Sequence, residues 1–297
     1  MTEQIQAGRT ERSLWRRIAD FPLVAMLIAV ALFIAAFAGS IVISKYLLPS
    51  SDTLGGLAAN ATVGVVLVVA IYKLLIVRLG ERSRDDLPSD HALRDLGLGL
   101  LAGFALFCLV VGIAAAFDVY NIVGRGGTAE LLRLLIAAAL VPAILEEIFF
   151  RGILFRWIEE FGGSWAALIV TSAFFGLAHI ANPNATWFSS FAIAMEAGLL
   201  LGGAYMLTRS LWLPIGLHFA WNFTQGFIFD VPVSGLDQQG LVEARLSGPE
   251  LLSGGAFGLE ASVIAVVIAS GAGLLLIYRS MRLGKVERPW WVRRRVD

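Results

Sequence analysis

Charged side chains are scarce in this chain, and their scarcity argues against an ordinary soluble domain. They make up 15% of the 297 residues, whereas hydrophobic residues make up 58%, and the mean hydropathy is +0.77. A soluble domain carries about 25% charged residues. The sequence holds a single cysteine, Cys108, which excludes an intrachain disulfide. The composition therefore predicts an integral membrane protein.

Long apolar runs predict an all-α protein that crosses the membrane about eight times. A crossing helix needs about 20 apolar residues. Such helices are expected at about 21–44, 54–77, 96–118, 129–158, 164–181, 186–208, 211–229 and 258–279.

Basic residues are concentrated at the two chain ends and in the loop at 78–95. The terminal stretches include Arg9, Arg12, Arg16, Arg17, Arg279, Arg282, Lys285, Arg288, Arg293, Arg294 and Arg295. Beside membrane helices such residues mark the cytoplasmic side, so they do not indicate a nucleic-acid partner. We therefore expect both termini in the cytoplasm, which an even number of crossings also requires.

No internal repeat or low-complexity segment divides the chain. Residues 1–128 hold three expected spans without a diagnostic motif, and residues 129–297 hold the polar membrane residues and the basic tail. Two small-xxx-small spacings, Gly99 with Gly103 and Gly198 with Gly202, predict closely packed helices. We expect the two parts to form one structural unit.

Three charges lie inside the apolar helix expected at 129–158: Glu146, Glu147 and Arg151. Each costs about 2.5 to 3.5 kcal/mol at the centre of a membrane helix, so each needs a partner or a function. Glu147 and Arg151 are one helical turn apart and are expected to pair. Glu146 points about 100° away and must find another partner.

Two histidines within apolar spans are candidate partners of Glu146. Glu146 lies 16 residues before Gly162 and His179 lies 17 residues after it, so a helical hairpin at this glycine brings both to one height. His218 and Asn222 are four residues apart and share a helix face. Each histidine could instead be a satisfied core residue.

Together these side chains can line a polar cavity suited to hydrolysis. A carboxylate (Glu146) and an imidazole (His179) can share a water and deprotonate it for attack on a carbonyl carbon. His218 and Asn222 can stabilise the oxyanion that forms. Zinc is the rival, held by Glu146, His179 and His218, although no His-Glu-x-x-His motif is present.

Two readings outside enzyme chemistry stay open. A catalytically inactive scaffold or binding protein could keep the polar cluster for packing. A transporter could use Glu196, which lies in the middle of the span at 186–208 without an obvious partner. Matching breaks in two halves of the chain, typical of transporters, are absent from the sequence.

Three motifs resemble those of the CPBP family, which comprises type II CAAX prenyl endopeptidases and bacteriocin-processing membrane proteases and is also called the ABI family. They occur in the family's order as Glu146-Glu147-x-x-x-Arg151, Phe175-x-x-x-His179 and His218-x-x-x-Asn222. The resemblance covers roughly residues 129–229.

The resemblance implies an intramembrane endopeptidase with a cavity reachable from membrane and cytoplasm. Glu146 would be the catalytic base, His179 would help to activate water, and His218 with Asn222 would form the oxyanion site. Glu147, Arg151 and Phe175 would support them. The family is often labelled metalloprotease, but no required metal is expected.

The pattern also resembles the bacterial branch of this family. The resemblance then implies a multi-pass protein of a bacterial plasma membrane. Its partners would be the lipid bilayer and a membrane-associated protein or peptide substrate, with or without a lipid modification.

Overall fold

The computed structural model describes residues 13–81 and 83–293, and these residues are mostly helical. Arg9, Arg12, Arg294 and Arg295, which contribute to the expected cytoplasmic placement of the ends, lie outside the described residues. The predicted all-α membrane fold is confirmed, with one small sheet in addition.

The α-helices run in chain order as α1 Leu14–Ala19, α2 Pro22–Leu47, α3 Leu54–Leu74, α4 Ala92–Ala116, α5 Leu131–Leu134, α6 Val141–Glu147, α7 Arg156–Ala178, α8 Trp187–Thr208, α9 Trp212–Phe223, α10 Glu250–Ser253, α11 Val263–Arg282 and α12 Trp290–Arg293. Wider, π-helical turns continue three of them at Leu135–Leu140, Ile148–Phe155 and Thr224–Ile228. Short 3₁₀ turns lie at Ile76–Arg78, His179–Ala181, Gly255–Phe257 and Leu259–Ala261.

Five helices among the described residues are long and apolar enough to cross a membrane: Pro22–Leu47, Leu54–Arg78, Ala92–Ala116, Trp187–Thr208 and Val263–Arg282. The other three expected crossings fall on the helical stretches 131–155, 156–178 and 212–228, which contain π-helical turns or a kink. The number of eight crossings and the cytoplasmic termini stay predictions.

The chain reverses at Gly163, inside α7. This residue has φ 82° and ψ 169°, a conformation that favours glycine, and a Cβ there would lie 2.9 Å from the carbonyl oxygen of Glu287. The rings of Phe150 and Phe175, on either side of the turn, are 4.8 Å apart. The expected helical hairpin therefore forms, and its turn is the kink at Gly163.

Small residues let the helices around the site pack closely. A Cβ on Gly99 would lie 2.4 Å from the carbonyl oxygen of Leu213, so α4 contacts the backbone of α9. A Cβ on Gly198 would lie 2.4 Å from Cβ of Ser172, so α8 lies against α7 in the same way. The helices of the first 128 residues thus pack directly on those that carry the motifs.

Two segments expected only as loops pair as strands. Strand β1, Tyr120–Arg125, and strand β2, Val242–Leu246, form an antiparallel sheet with an irregularity between Ile122 and Gly124. The pairing anchors the segment 230–256, which the sequence predicts as an external connection that folds back on the membrane. Asn182 donates a hydrogen bond to the carbonyl oxygen of Ser234 (3.2 Å), which holds this segment against the end of α7.

Buried polar contacts also fix the C-terminal end of α8. Asp86 accepts hydrogen bonds from Tyr72 of α3 (2.9 Å) and Tyr205 of α8 (3.0 Å), and it pairs with Arg84 (2.7 Å). Because Asp86 is fully buried, these three partners satisfy a carboxylate that would otherwise be costly there. The contacts hold α3 and α8 together and fix the helix that carries Glu196.

Candidate active site

Glu147, Arg151 and His218 form a buried cluster at the centre of the bundle. Arg151 donates to Oε1 of Glu147 at 2.8 Å, which is the pair that their spacing predicts. The same oxygen lies 3.1 Å from Nδ1 of His218. Arg151 also donates to the carbonyl oxygen of Ala197 (3.1 Å), which ties the cluster to α8. These contacts fix the ring of His218 relative to the first motif.

Phe175 packs between Arg151 and the two histidines. The Arg151 guanidinium lies 4.7 Å from the centre of its ring. The rings of His179 and His218 are 4.9 Å and 6.1 Å from the same ring. Phe175 is buried and lines the cavity described below.

The backbone fixes the tautomer of His179. Its Nδ1 lies 2.7 Å from the carbonyl oxygen of Phe175, one turn earlier in α7. Because a carbonyl oxygen can only accept, Nδ1 must carry the proton. A neutral His179 therefore keeps its lone pair on Nε2, where it can accept a hydrogen bond from water.

Asn222 is oriented by the first helix of the hairpin. Its Nδ2 donates a hydrogen bond of 2.9 Å to the carbonyl oxygen of Ala138, which lies in the π-helical turn Leu135–Leu140. This bond uses one of the two N–H groups of the amide. The second N–H is the one that a reacting oxygen could use.

One cavity brings His179, His218 and Asn222 together. The empty space within it, including open solvent, is about 460 Å³. Two further carboxylic acids, Glu196 of α8 and Glu260 of the turn Leu259–Ala261, also line it. Apolar side chains make up most of the remaining wall.

Glu146 lies beside this cavity and is not among its lining residues. Its Oε2 is buried and has no hydrogen-bond partner among the described residues. Glu146 is close enough to His218 and Arg151 for their charges to interact. Glu147 is held through its Oε1 by Arg151 and His218, whereas Oε2 of each glutamate has no hydrogen-bond partner among the described residues.

The three residues that would bind zinc in the alternative mechanism do not converge on one point. No group of three His, Cys, Asp or Glu side chains within residues 13–81 and 83–293 has the proximity to hold an ion. Of the three proposed ligands, His179 and His218 line the cavity, whereas Glu146 lies beside it. The donor set in this arrangement does not fit zinc, and the independence from metal stays a prediction to be tested.

The sequence assigned no catalytic role to three residues that line the cavity. Glu196 is conspicuous in the sequence as a mid-span carboxylate, and such a residue indicates a functional site. Glu260 follows a glycine-rich stretch and is expected only to favour a helix N-terminus, but its side chain is buried in the cavity wall instead. Ser234 lies in a segment with no local signal, since only the tertiary fold brings it to α7.

Comparison with known proteins gives a partial match. Residues 128–224 match the family model described as type II CAAX prenyl endopeptidase Rce1-like. A Bacillus subtilis (strain 168) protein named "Putative membrane peptidase YdiL" is 27% identical in an alignment of 141 positions that covers 43% of this chain and 55% of that protein. The chain thus spans about half the length of the curated relative that it matches. No solved structure matches the chain significantly.

Proposed function

We propose that the chain is an intramembrane endopeptidase of the CPBP family, which the three motifs and the match of residues 128–224 to the Rce1-like family model support. It hydrolyses a peptide bond of a membrane-associated protein with a water activated by Glu146 and His179. The substrate approaches through the bilayer, with or without a lipid modification.

The observation that carries this proposal is the convergence of His179, His218 and Asn222 on one cavity. They come from two helices and from two separate motifs, and each has one ring or amide nitrogen fixed by a defined contact. Such fixed polar groups in an apolar wall are typical of a catalytic site, in which orientation is set before the substrate binds.

Activation of water uses two groups that each have an unused acceptor. Oε2 of Glu146 has no partner, and Nε2 of a neutral His179 carries a lone pair. Glu146 takes a proton from a water that His179 orients, and the water oxygen then attacks the carbonyl carbon of the substrate. Because Glu146 lies beside the cavity, we expect its side chain to turn towards His179 when the substrate binds.

The oxyanion is stabilised by His218 and Asn222. The carboxylate of Glu147 accepts from Arg151, so Nδ1–H of His218 donates to it. Nε2 of His218 can then donate only when the ring is doubly protonated, which places a positive charge beside the oxyanion. The free N–H of Asn222 supplies the second hydrogen bond.

Breakdown of the tetrahedral intermediate completes the reaction. The oxyanion re-forms the carbonyl and the C–N bond breaks. The leaving nitrogen takes the proton that Glu146 had removed from water, so one product ends in a carboxylate and the other begins with an amine. Two proton transfers through one carboxyl group leave the enzyme unchanged.

The test compares the termini of membrane proteins by mass spectrometry in host cells that carry the wild type or Glu146→Gln. A matched control, Glu243→Gln, removes an exposed carboxylate of β2 that is far from the motifs in sequence. We expect new termini with the wild type and the control that vanish with Glu146→Gln. Identical termini at equal abundance of all three proteins would instead support the catalytically inactive scaffold.

A second measurement separates the metal-free reaction from its zinc-dependent version. Purified protein is treated with a chelator until no zinc remains, and cleavage of a substrate found in the first experiment is followed. We expect cleavage to continue. Loss of cleavage that added zinc restores would overturn the metal-free mechanism and keep the endopeptidase.

A further inference from the structure

Glu196 is a buried carboxylic acid that the proposed reaction does not use. It lies on α8 with 3% of its surface exposed, and it lines the cavity that holds His218 and Asn222. Its Oε2 has no hydrogen-bond partner among the described residues. A carboxylate buried in a membrane protein without a partner is energetically costly. Its presence here therefore indicates that a ligand supplies the missing partner.

Glu260 presents a second carboxyl group to the same cavity. The backbone N–H of Ser234 donates a hydrogen bond to its Oε1, and the residue is 4% exposed. The segment 230–262, which contains β2, therefore brings this acid into the cavity wall, where the turn Leu259–Ala261 packs against α8. Glu196 and Glu260 are close enough for their charges to interact.

No lysine or arginine lines this cavity within the described part of the chain. The neighbouring cation, Arg151, is already paired with Glu147 and lies over the Phe175 ring. When both acids are ionised, their two negative charges outnumber the single positive charge of a doubly protonated His218, so the cavity keeps an acidic character. A positively charged ligand group would complement it, whereas an anionic group would be repelled.

The apolar wall suits the rest of a long basic side chain. Trp221 and Phe175 both line the cavity, and Trp221 is held edge-on by Phe107 at 5.0 Å between ring centres. Aromatic faces attract cations and also cover methylene groups. A lysine or arginine combines such an apolar stem with a charged end.

We propose that this cavity binds a lysine or arginine side chain of the substrate, with Glu196 as its counter-charge and Glu260 as the second acceptor. The inference rests on the proposed endopeptidase function. Since His218 and Asn222 line the same cavity, a carbonyl group held by them places the neighbouring substrate side chain within reach of both acids. The enzyme therefore prefers to cut beside a basic residue of a membrane segment.

The experiment uses full-length protein in lipid nanodiscs and a set of apolar membrane peptides. In each peptide one central position carries lysine, arginine, norleucine, glutamine or glutamate, and mass spectrometry locates the cleaved bond. We expect the kcat/KM for lysine to exceed that for norleucine by about tenfold or more at one position beside the cleaved bond, the discrimination that one desolvated charge pair supplies.

Two variants test which acids provide this preference. Glu196→Gln should reduce the lysine-to-norleucine ratio to within about threefold, chiefly through KM, because the amide cannot pair with a cation. Glu260→Gln should reduce the ratio in the same direction and provides a second reading if the first variant fails to fold. The control Glu243→Gln should keep the wild-type ratio.

The outcomes separate this inference from the proposed function. Cleavage with equal kcat/KM for lysine and norleucine at every position, or an unchanged ratio in both variants, would overturn the inference and leave the endopeptidase intact. If the wild type cleaves no peptide, the proposed function fails, and fluorescence anisotropy of labelled peptides then decides the inference. Tighter binding of the lysine peptide than the norleucine peptide, lost in Glu196→Gln, would support it, and equal binding would refute it.

Discussion

Replacing Arg151 with methionine should be among the most destabilising single changes in this chain. Arg151 is 1% exposed and Glu147 is fully buried, and 2.8 Å separates the paired atoms. Methionine roughly preserves the volume and the contact with Phe175, but it removes the cation. Glu147 then keeps only His218 as a partner.

The burial of the ion pair sets the expected loss in the free energy of unfolding. Breaking one side of a buried ion pair costs about 3–5 kcal/mol, because the remaining charge is left without compensation. Arg133→Met is a matched control, since Arg133 pairs with Glu130 at three residues' distance but both side chains are 44% and 40% exposed. Such an exposed pair contributes about 1 kcal/mol or less. Reversible unfolding in bicelles gives the free energy of unfolding for both variants.

A second substitution tests the cause of the loss. Glu147→Gln combined with Arg151→Met removes both charges, so it should recover most of the stability that Arg151→Met alone loses. Activity should not return, because His218 loses the carboxylate that fixes its ring. A loss in Arg151→Met no larger than in Arg133→Met would refute the view that this pair is buried and unscreened.

Three further changes have defined outcomes. Gly99→Ala should destabilise the protein by about 1–3 kcal/mol because its Cβ would meet the backbone of α9 at 2.4 Å, whereas Gly97→Ala, with nothing within 4 Å, should be neutral or stabilising in the same unfolding assay. Glu146→Gln should abolish cleavage while the unfolding free energy stays within about 1 kcal/mol, since no hydrogen bond to its Oε2 is lost. Reporter fusions after residue 297 and within the 230–256 segment should report opposite sides of the membrane, and the same side for both would contradict the expected topology.

Spacing along single helices predicted the local part of the site. The four-residue interval between Glu147 and Arg151 fixed their pairing, and the apolar surroundings made the pair stand out. The glycines near 163 predicted the hairpin that brings the first two motifs to one height. These inferences succeed because a helix converts sequence separation into direction and rise.

Contacts between distant segments could not be predicted in this way. Ser234 is held at the cavity by Asn182 and Glu260, which are 52 and 26 residues away, and the segment that contains it also pairs through β2 with the distant strand β1. The alternation of side chains in two short strands gives no signal strong enough to match one to the other. Glu260 follows the same segment, so its burial depends on a pairing that local sequence does not encode.

The two adjacent glutamates of the first motif have different roles, one structural and one proposed to be catalytic. Glu147 faces Arg151 and His218, so its charge is compensated and its geometry is fixed. Glu146 points about 100° away on the same helix, and its Oε2 receives no contact. In the proposed mechanism the two side chains therefore take different roles, Glu147 as a structural acid and Glu146 as the base. The same reasoning extends to the cavity, where Glu260 is held by a backbone N–H and Glu196 is left to meet the substrate.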